Sequence, residues 1–316
     1  MPRPRLRTLD AFAGCGGFSC GLEAVGAIKS CWAVENSEVA SRAFQRNFPE
    51  STVFTQDFNS FLSDVLKGKR TNANGQQLPQ KGDVQLLCGG PPCQGFSQLN
   101  RFRHTERSLL KNSLVSSYLS CCDYYRPQLF LLENVKGFLK GHDGRMLPLT
   151  LECLLRMGYQ CTFASLQAGN YGLPQSRRRT VKTYDKGIQG VCPCAAGGNC
   201  DPLPATQKRT LVPWTLVHRA GKGAAQGKLD KPYARLGWDS CMGTVTTSPS
   251  PDKFAVLHPS QNRLLTVREY ARVQGFPDNF VFVGSVSDKY MQVGNAVPPP
   301  LAAAIGQEII KSLSFL

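Results

Sequence analysis

Short apolar runs alternate along this chain with longer stretches whose apolar positions recur every three or four residues. The short runs are residues 7–12 (RTLDAF), 30–34 (SCWAV), 51–55 (STVFT), 84–88 (VQLLC), 128–132 (QLFLL) and 161–167 (CTFASLQ). Runs of this length suit strands buried on both faces. Residues 36–48, 112–125 and 146–157 read as helices. In 112–125, Leu114, Val115, Tyr118, Leu119 and Cys122 fall at helical spacing and make a core face. Residues 264–277 form another helix, with Thr266 and Glu269 as a capping box and Gly275 as the stop. Residues 280–283 (FVFV) read as a strand, and Pro298 to Pro300 lead into a final helix. Residues 67–82 are polar and aperiodic, a surface loop. Alternating strands and helices predict an α/β class fold, a Rossmann-like sheet with helices on both faces.

The ends of the strands carry the chemistry. The run 84–88 passes into GGPPCQGFS, in which two prolines stiffen the backbone just before Cys93 and two glycines admit close neighbours. That puts a thiol on a rigid turn at the carboxyl end of a strand, where open α/β sheets bind ligands. The first strand opens into a glycine turn and a helix, the entry of nucleotide-binding folds. Glu35 ends the second strand. It suits a ribose diol first, and second a helix N-terminus that Asn36 and Ser37 can cap. Asp57 follows the third strand. Glu133 ends a wholly apolar strand, where loss of solvation favours the neutral, proton-donating acid. Arg177 and Arg179 face one way if extended, fit to hold a base oxygen or a phosphate. Basic and apolar residues interleave from Arg101 to Lys111, as in a loop closing on nucleic acid.

Charge narrows the partners. A formal net charge of +15 points to a polyanion, nucleic acid before an anionic membrane. No apolar run reaches the ~20 residues of a membrane span. The start lacks an apolar signal core, which argues against secretion. Thirteen scattered cysteines in a chain of 316 residues suit a reducing compartment. Cys192, Cys194 and Cys200 lie close together in a Pro/Gly-rich stretch that His218 follows, a donor set for tetrahedral zinc, although C-x-C is tighter than the usual spacing.

Taken in order, DAFAGCGGFS, GGPPCQGFS, ENV, QSRRR, RLLTVREYARVQGFPD and QVGNAVPPPLA resemble the motifs of the DNA (cytosine-5)-methyltransferases, nearly end to end. Within that family, KNSLVSSYLSCCDYYRPQLFLLENVKGF is similar to the catalytic domain of the eukaryotic maintenance-type enzyme, and GVCPC…NC…VPW…H to its zinc-bearing segment. The resemblance implies an S-adenosylmethionine-dependent methyltransferase sheet plus a small irregular target-recognition region. It implies Cys93 as nucleophile on a flipped cytosine of double-stranded DNA, with Glu133, Asn134, Arg177 and Arg179 holding the base. By the same resemblance Phe12, Ala13, Gly14, Gly16, Gly17 and Phe18 cradle the cofactor, with Glu35, Asn36, Asp57, Phe58, Pro91, Asn295 and Val297. Structural zinc on Cys192, Cys194, Cys200 and His218, CpG specificity, a nuclear location and chromatin partners acting through domains outside this chain follow as expectations. The expected organisation is a catalytic domain over 1–179, a shortened recognition region over 180–262 and a returning segment over 263–316. The departure lies after QSRRR: Val181 is the one aliphatic residue of the next five, so a short or missing strand is expected there. The shortened region leaves a rival reading, a DNA- or chromatin-binding paralogue that keeps the fold with impaired catalysis.

Overall fold

The short apolar runs become the strands of one sheet in a computed structural model, which describes residues 5–92, 106–135, 146–185, 236–239, 241–249 and 257–313. Of residues 106–113, 135 and 178–185 only the backbone is described. The strands are β1 (Leu6–Ala11), β2 (Ile28–Glu35), β3 (Thr52–Thr55), β4 (Leu86–Gly89), β5 (Leu129–Val135), β6 (Gln160–Gln167) and β7 (Arg178–Asp185), in the order β3-β2-β1-β4-β5-β7-β6. Strands β1 to β5 pair in parallel, and β7 enters antiparallel between β5 and β6.

Both faces are covered, which is why the strands read as apolar runs rather than alternations. Leu86, Cys88, Leu129 and Leu131 pack with α1 (Gly17–Ala24) on one face, while Leu87, Phe130 and Leu132 join a second cluster on the other. The first face is completed by the C-terminal helix α8 (Pro299–Leu313). There Gly21 lets the two helices touch, because a Cβ on it would stand 2.0 Å from the Pro299 carbonyl oxygen. The second face is built from α3 (Phe58–Leu66), α4 (Glu106–Tyr125) and α5 (Met146–Arg156). Phe58, Phe61, Leu62 and Val65 give α3 the spacing of a buried stripe, and Asp57 caps it through the amides of Asn59 and Ser60. A third cluster joins α2 (Glu38–Asn47), α6 (Val267–Gln274) and α7 (Val286–Asn295). The capping box of Thr266 and Glu269 and the left-handed Gly275 bound α6 where the sequence puts them.

Two expectations are corrected. The strand after QSRRR is complete: β7 spans eight residues, pairs along its length with β5 and β6, and carries the sheet past residue 179. Thr180, Val181, Thr183 and Tyr184 are strand formers even though one alone is aliphatic. Residues 280–283 join no strand. Their alternation is real, with Phe280 and Phe282 buried and Val281 exposed, yet side-chain amides supply the backbone partners. The Asn47 amide accepts from Val281 N and donates to Val281 O, both at 2.9 Å. The Gln292 amide does the same for Val283, accepting at 3.3 Å and donating at 2.7 Å.

Candidate active site

Strand order reverses between β1 and β4, since β2 and β3 lie to one side and β5 to the other. At that switch point the carboxyl ends of parallel strands leave a crevice. A cavity of about 740 Å³ occupies it, within the range of nucleotide and cofactor sites.

Its floor is the glycine turn after β1. Ala13 N donates to Val34 O and Gly16 N to Ala13 O. Gly14 is left-handed at φ 57°, and its amide donates to Glu35 Oε2 at 2.9 Å. Glu35 Oε1 accepts from Ser37 N at 2.8 Å. The acid therefore braces the turn and heads α2 together; burial raises its pKa, and the amides of Ser37, Gly14 and Asn36 pull it back. Phe12 is also left-handed at φ 57°, a conformation that strains a residue with a Cβ. Its ring is held against Phe58 at 4.5 Å and Tyr118 at 5.9 Å.

The opposite wall comes from β4 and β5. Gly89 allows the strands to close, since a Cβ there would stand 2.5 Å from Ala11 O. A Cβ on Gly90 would stand 3.0 Å from Glu133 Oε2, so the bare backbone leaves room for that carboxyl. Glu133 and Asn134 are both buried, and Asn134 Nδ2 donates to Pro91 O at 3.4 Å.

Phe12, Ala13, Gly14, Gly17, Phe18, Glu35 and Asn36 all border the cavity. So do Asp57, Phe58, Pro91, Asn295 and Val297, together with Glu133, Asn134 and Arg177. Gly16 does not; it faces α2, where a Cβ would meet the Phe48 ring at 2.5 Å. Arg177 borders the cavity with its guanidinium on backbone carbonyls. It is 2% exposed, and its terminal nitrogens donate to the carbonyls of Val245, Gly294 and Ala296 at 2.9–3.1 Å. It ties the segment after β6 to the wall carrying Asn295 and Val297, a positioning role. Arg179, the second residue of β7, pairs with Val135, and its side chain lies outside the described residues. Cys93, Cys192, Cys194, Cys200 and His218 also lie outside them.

The sequence reading missed three contributors. Asp10 sits on β1 at the cavity, 2% exposed, its Oδ2 accepting from Ser19 Oγ at 2.7 Å. Burial pushes its carboxyl up to about 7, helped by the Glu35 charge and opposed by hydrogen bonds from Ser19 and Cys88. The signal was a lone acid inside an apolar strand. Asp288 and Gln292 reach the cavity from α7, whose sign was the Ser285–Asp288 capping box.

A crevice at the switch point, a nucleotide-type glycine turn and an acid-bearing strand end define a nucleoside-dependent group-transfer class. Comparison with known proteins makes this specific. The family model described as C-5 cytosine-specific DNA methylase matches residues 6–184 and 205–311. The chain is 36% identical over 461 residues to DNA (cytosine-5)-methyltransferase PliMCI of Paracentrotus lividus, covering 98% of this chain and 28% of that protein. It is 36% identical over 459 residues to DNA (cytosine-5)-methyltransferase 1 of Gallus gallus, covering 97% of this chain and 30% of that one. The fold matches an E. coli prophage structure titled as a DNA modification methyltransferase, with TM-score 0.70, 21% identity and coverage of 98% and 99%. It also matches Entamoeba histolytica EhMeth, with TM-score 0.67, 16% identity and the same coverage. The chain belongs to the C-5 cytosine-specific DNA methylase family. It spans less than a third of the length of these two relatives, and the 461 aligned positions exceed its own 316 residues, so the relative carries insertions inside the matched stretch.

Proposed function

We propose that the chain methylates carbon 5 of cytosine in double-stranded DNA with S-adenosylmethionine as donor. The observation that carries this reading is the convergence of the glycine turn, the Gly90–Pro91–Pro92 turn and Glu133 on one cavity. The residues present suit the cofactor: Glu35 locks the glycine turn, Asp57 offers a carboxylate at the α3 N-terminus, and Phe12 and Phe58 form an aromatic wall. When bound, S-adenosylmethionine supplies a methyl group on a positively charged sulfur.

Carbon 5 of cytosine is a weak nucleophile. The Cys93 thiolate adds to carbon 6, forming a C–S bond and pushing electrons toward carbon 5. Protonated Glu133 donates to ring nitrogen 3 and stabilises the charge that develops there. Asn134 fixes the Pro91 turn, and so the pedestal of Cys93, against the β5 end. After carbon 5 takes the methyl group, a base removes its proton, the C–S bond breaks and the ring double bond returns. The target base leaves the duplex first, at about a few kcal/mol.

CpG specificity, a preference for hemimethylated duplex, a nuclear location and structural zinc on Cys192, Cys194, Cys200 and His218 complete the proposal. Three thiols and an imidazole suit tetrahedral zinc. Incubation with labelled cofactor and a hemimethylated CpG duplex tests the activity: label enters cytosine, and Cys93→Ser abolishes it. A 5-fluorocytosine duplex traps the Cys93 adduct, and metal analysis returns one zinc per chain. Cofactor and DNA binding without transfer or trapping would favour the second reading, a catalytically impaired DNA-binding paralogue. The insertions that the relative carries and this chain lacks speak for that reading.

A further inference from the structure

The cavity runs against the composition of its chain. The protein has 37 Lys and Arg against 22 Asp and Glu, yet among the described residues the charged ones bordering the cavity are the acids Asp10, Glu35, Asp57, Glu133 and Asp288 against the single cation Arg177. That guanidinium donates to backbone carbonyls. Among the described residues no Lys, Arg or His makes an ion pair with Asp10 or Glu35. An acidic pocket whose buried Asp10 and half-buried Glu35 pair with no cation among the described residues favours a cationic ligand, which supplies charge in a medium where it counts most.

The acids are not equivalent. Glu35 is engaged by two backbone amides, and Asp57 and Asp288 cap helices. Asp10 is the most buried of them, at 2% exposed, and its hydrogen-bond donors, the Ser19 hydroxyl and the Cys88 thiol, are both neutral. We propose that Asp10 senses charge on the sulfur of the bound nucleoside: as a carboxylate it favours the methyl-bearing sulfonium over the neutral thioether left after transfer. This rests on the cofactor assignment made above and makes Asp10 a specificity-determining residue of that site.

The sign of the effect follows from the groups around it. Asp10 is faced by Ser19 from α1, Glu35 from β2, Cys88 from β4 and Tyr118 from α4, none of them cationic. Burial holds the Cys88 thiol and Tyr118 phenol far above their usual range, so both stay neutral near pH 7. With no ligand bound, burial keeps the Asp10 carboxyl protonated up to about 7. A sulfonium favours the ionised form and so expels the proton on binding. Sulfonium affinity then rises with pH below 7, by at most about tenfold per unit for one proton, and levels above it. The thioether, alike in every other group, shows a flatter profile.

Calorimetric titration of the full chain with S-adenosylmethionine and with S-adenosylhomocysteine, from pH 5.5 to 8.5, tests the proposal. The expected result is a steeper pH dependence for the sulfonium, with about half a proton released at pH 7 across buffers of different ionisation enthalpy. Asp10→Asn removes the difference in slope and weakens the sulfonium about tenfold at pH 8, the equivalent of one unit of carboxyl shift. Ser19→Ala, which deletes a bond to the ionised form, moves the inflection to higher pH. Parallel profiles for the two ligands, or no proton release, overturn the role of Asp10 while leaving the cofactor site standing. Binding of neither ligand by the folded chain overturns the cofactor assignment and this inference with it.

Discussion

Replacing Arg177 by methionine separates a positioning role from a substrate-binding one. The guanidinium is 2% exposed and reaches three backbone carbonyls, Val245, Gly294 and Ala296. Methionine fills much of the volume but donates nothing. Ala296 O keeps the Gln274 Nε2 donor at 2.9 Å, while the Val245 and Gly294 carbonyls lose the guanidinium at roughly 1–3 kcal/mol each, partly offset because no charge is buried any longer. A net loss of about 3–5 kcal/mol is expected, in line with breaking other buried charged networks. Unfolding entropy near 2.1 cal/mol/K per residue turns that into a melting temperature lower by about 4–8 °C for a chain of this size. Cofactor affinity falls as well, because Asn295 and Val297 stand on the wall that Arg177 ties down. Arg177→Lys recovers only part of the loss, since one ammonium cannot span both segments. Thermal melting and cofactor titration of both variants decide it. A methionine variant melting within about 1 °C of the parent, with normal cofactor affinity and methyl transfer alone abolished, refutes the positioning role.

Other outcomes follow from the same contacts. Gly21→Ala drives a Cβ to 2.0 Å from Pro299 O, and chemical denaturation should show α1 and α8 parted at a loss of about 3 kcal/mol or more. Gly90→Ala crowds Glu133 Oε2 at 3.0 Å; stability changes by less than about 1 kcal/mol while single-turnover methyl transfer slows about 10- to 100-fold. Arg263 holds the Glu269 carboxyl down to about 2, so the stability it contributes is present above about pH 4.5 and lost as pH falls toward 2. Melting curves of Arg263→Leu should show a weaker decline over that acid range. Asp10 has the opposite sign: its raised carboxyl makes the ligand-free fold less stable as pH rises from about 4 to 7, a slope that Asp10→Asn should flatten.

Much of this architecture is legible in the residues because local chemistry and global fold agree. Five parallel strands announce themselves as apolar runs, and Thr266, Glu269 and Gly275 mark α6 at both ends. The cofactor-type residues meet in space because parallel strands bring their carboxyl ends to one edge. What stays hidden has physical reasons. Strand β7 is held by backbone ladders on both sides, so aliphatic content is a poor guide to it. Residues 280–283 carry a strand's alternation, but no strand among the described residues pairs with them; two amides more than a hundred positions apart from each other in the chain, on Asn47 and Gln292, take its place. Arg177 reads in the sequence as a guanidinium fit for a base oxygen or a phosphate, and only the fold reveals the carbonyls that surround it.

The reversed direction of β7 also fixes a route. The strand starts at the cavity edge, with Arg179 beside Val135, and ends at the opposite edge, with Asp185 beside Leu129. Eight residues of strand cover about 26 Å. Among the described residues the chain returns to the cavity edge where Met242 bridges Gln175 and Val245 O meets Arg177. The last residue of β7 and the Met242–Val245 segment are therefore held at opposite edges of the sheet, so β7 and Arg177 together fix two points of one chain a full strand length apart.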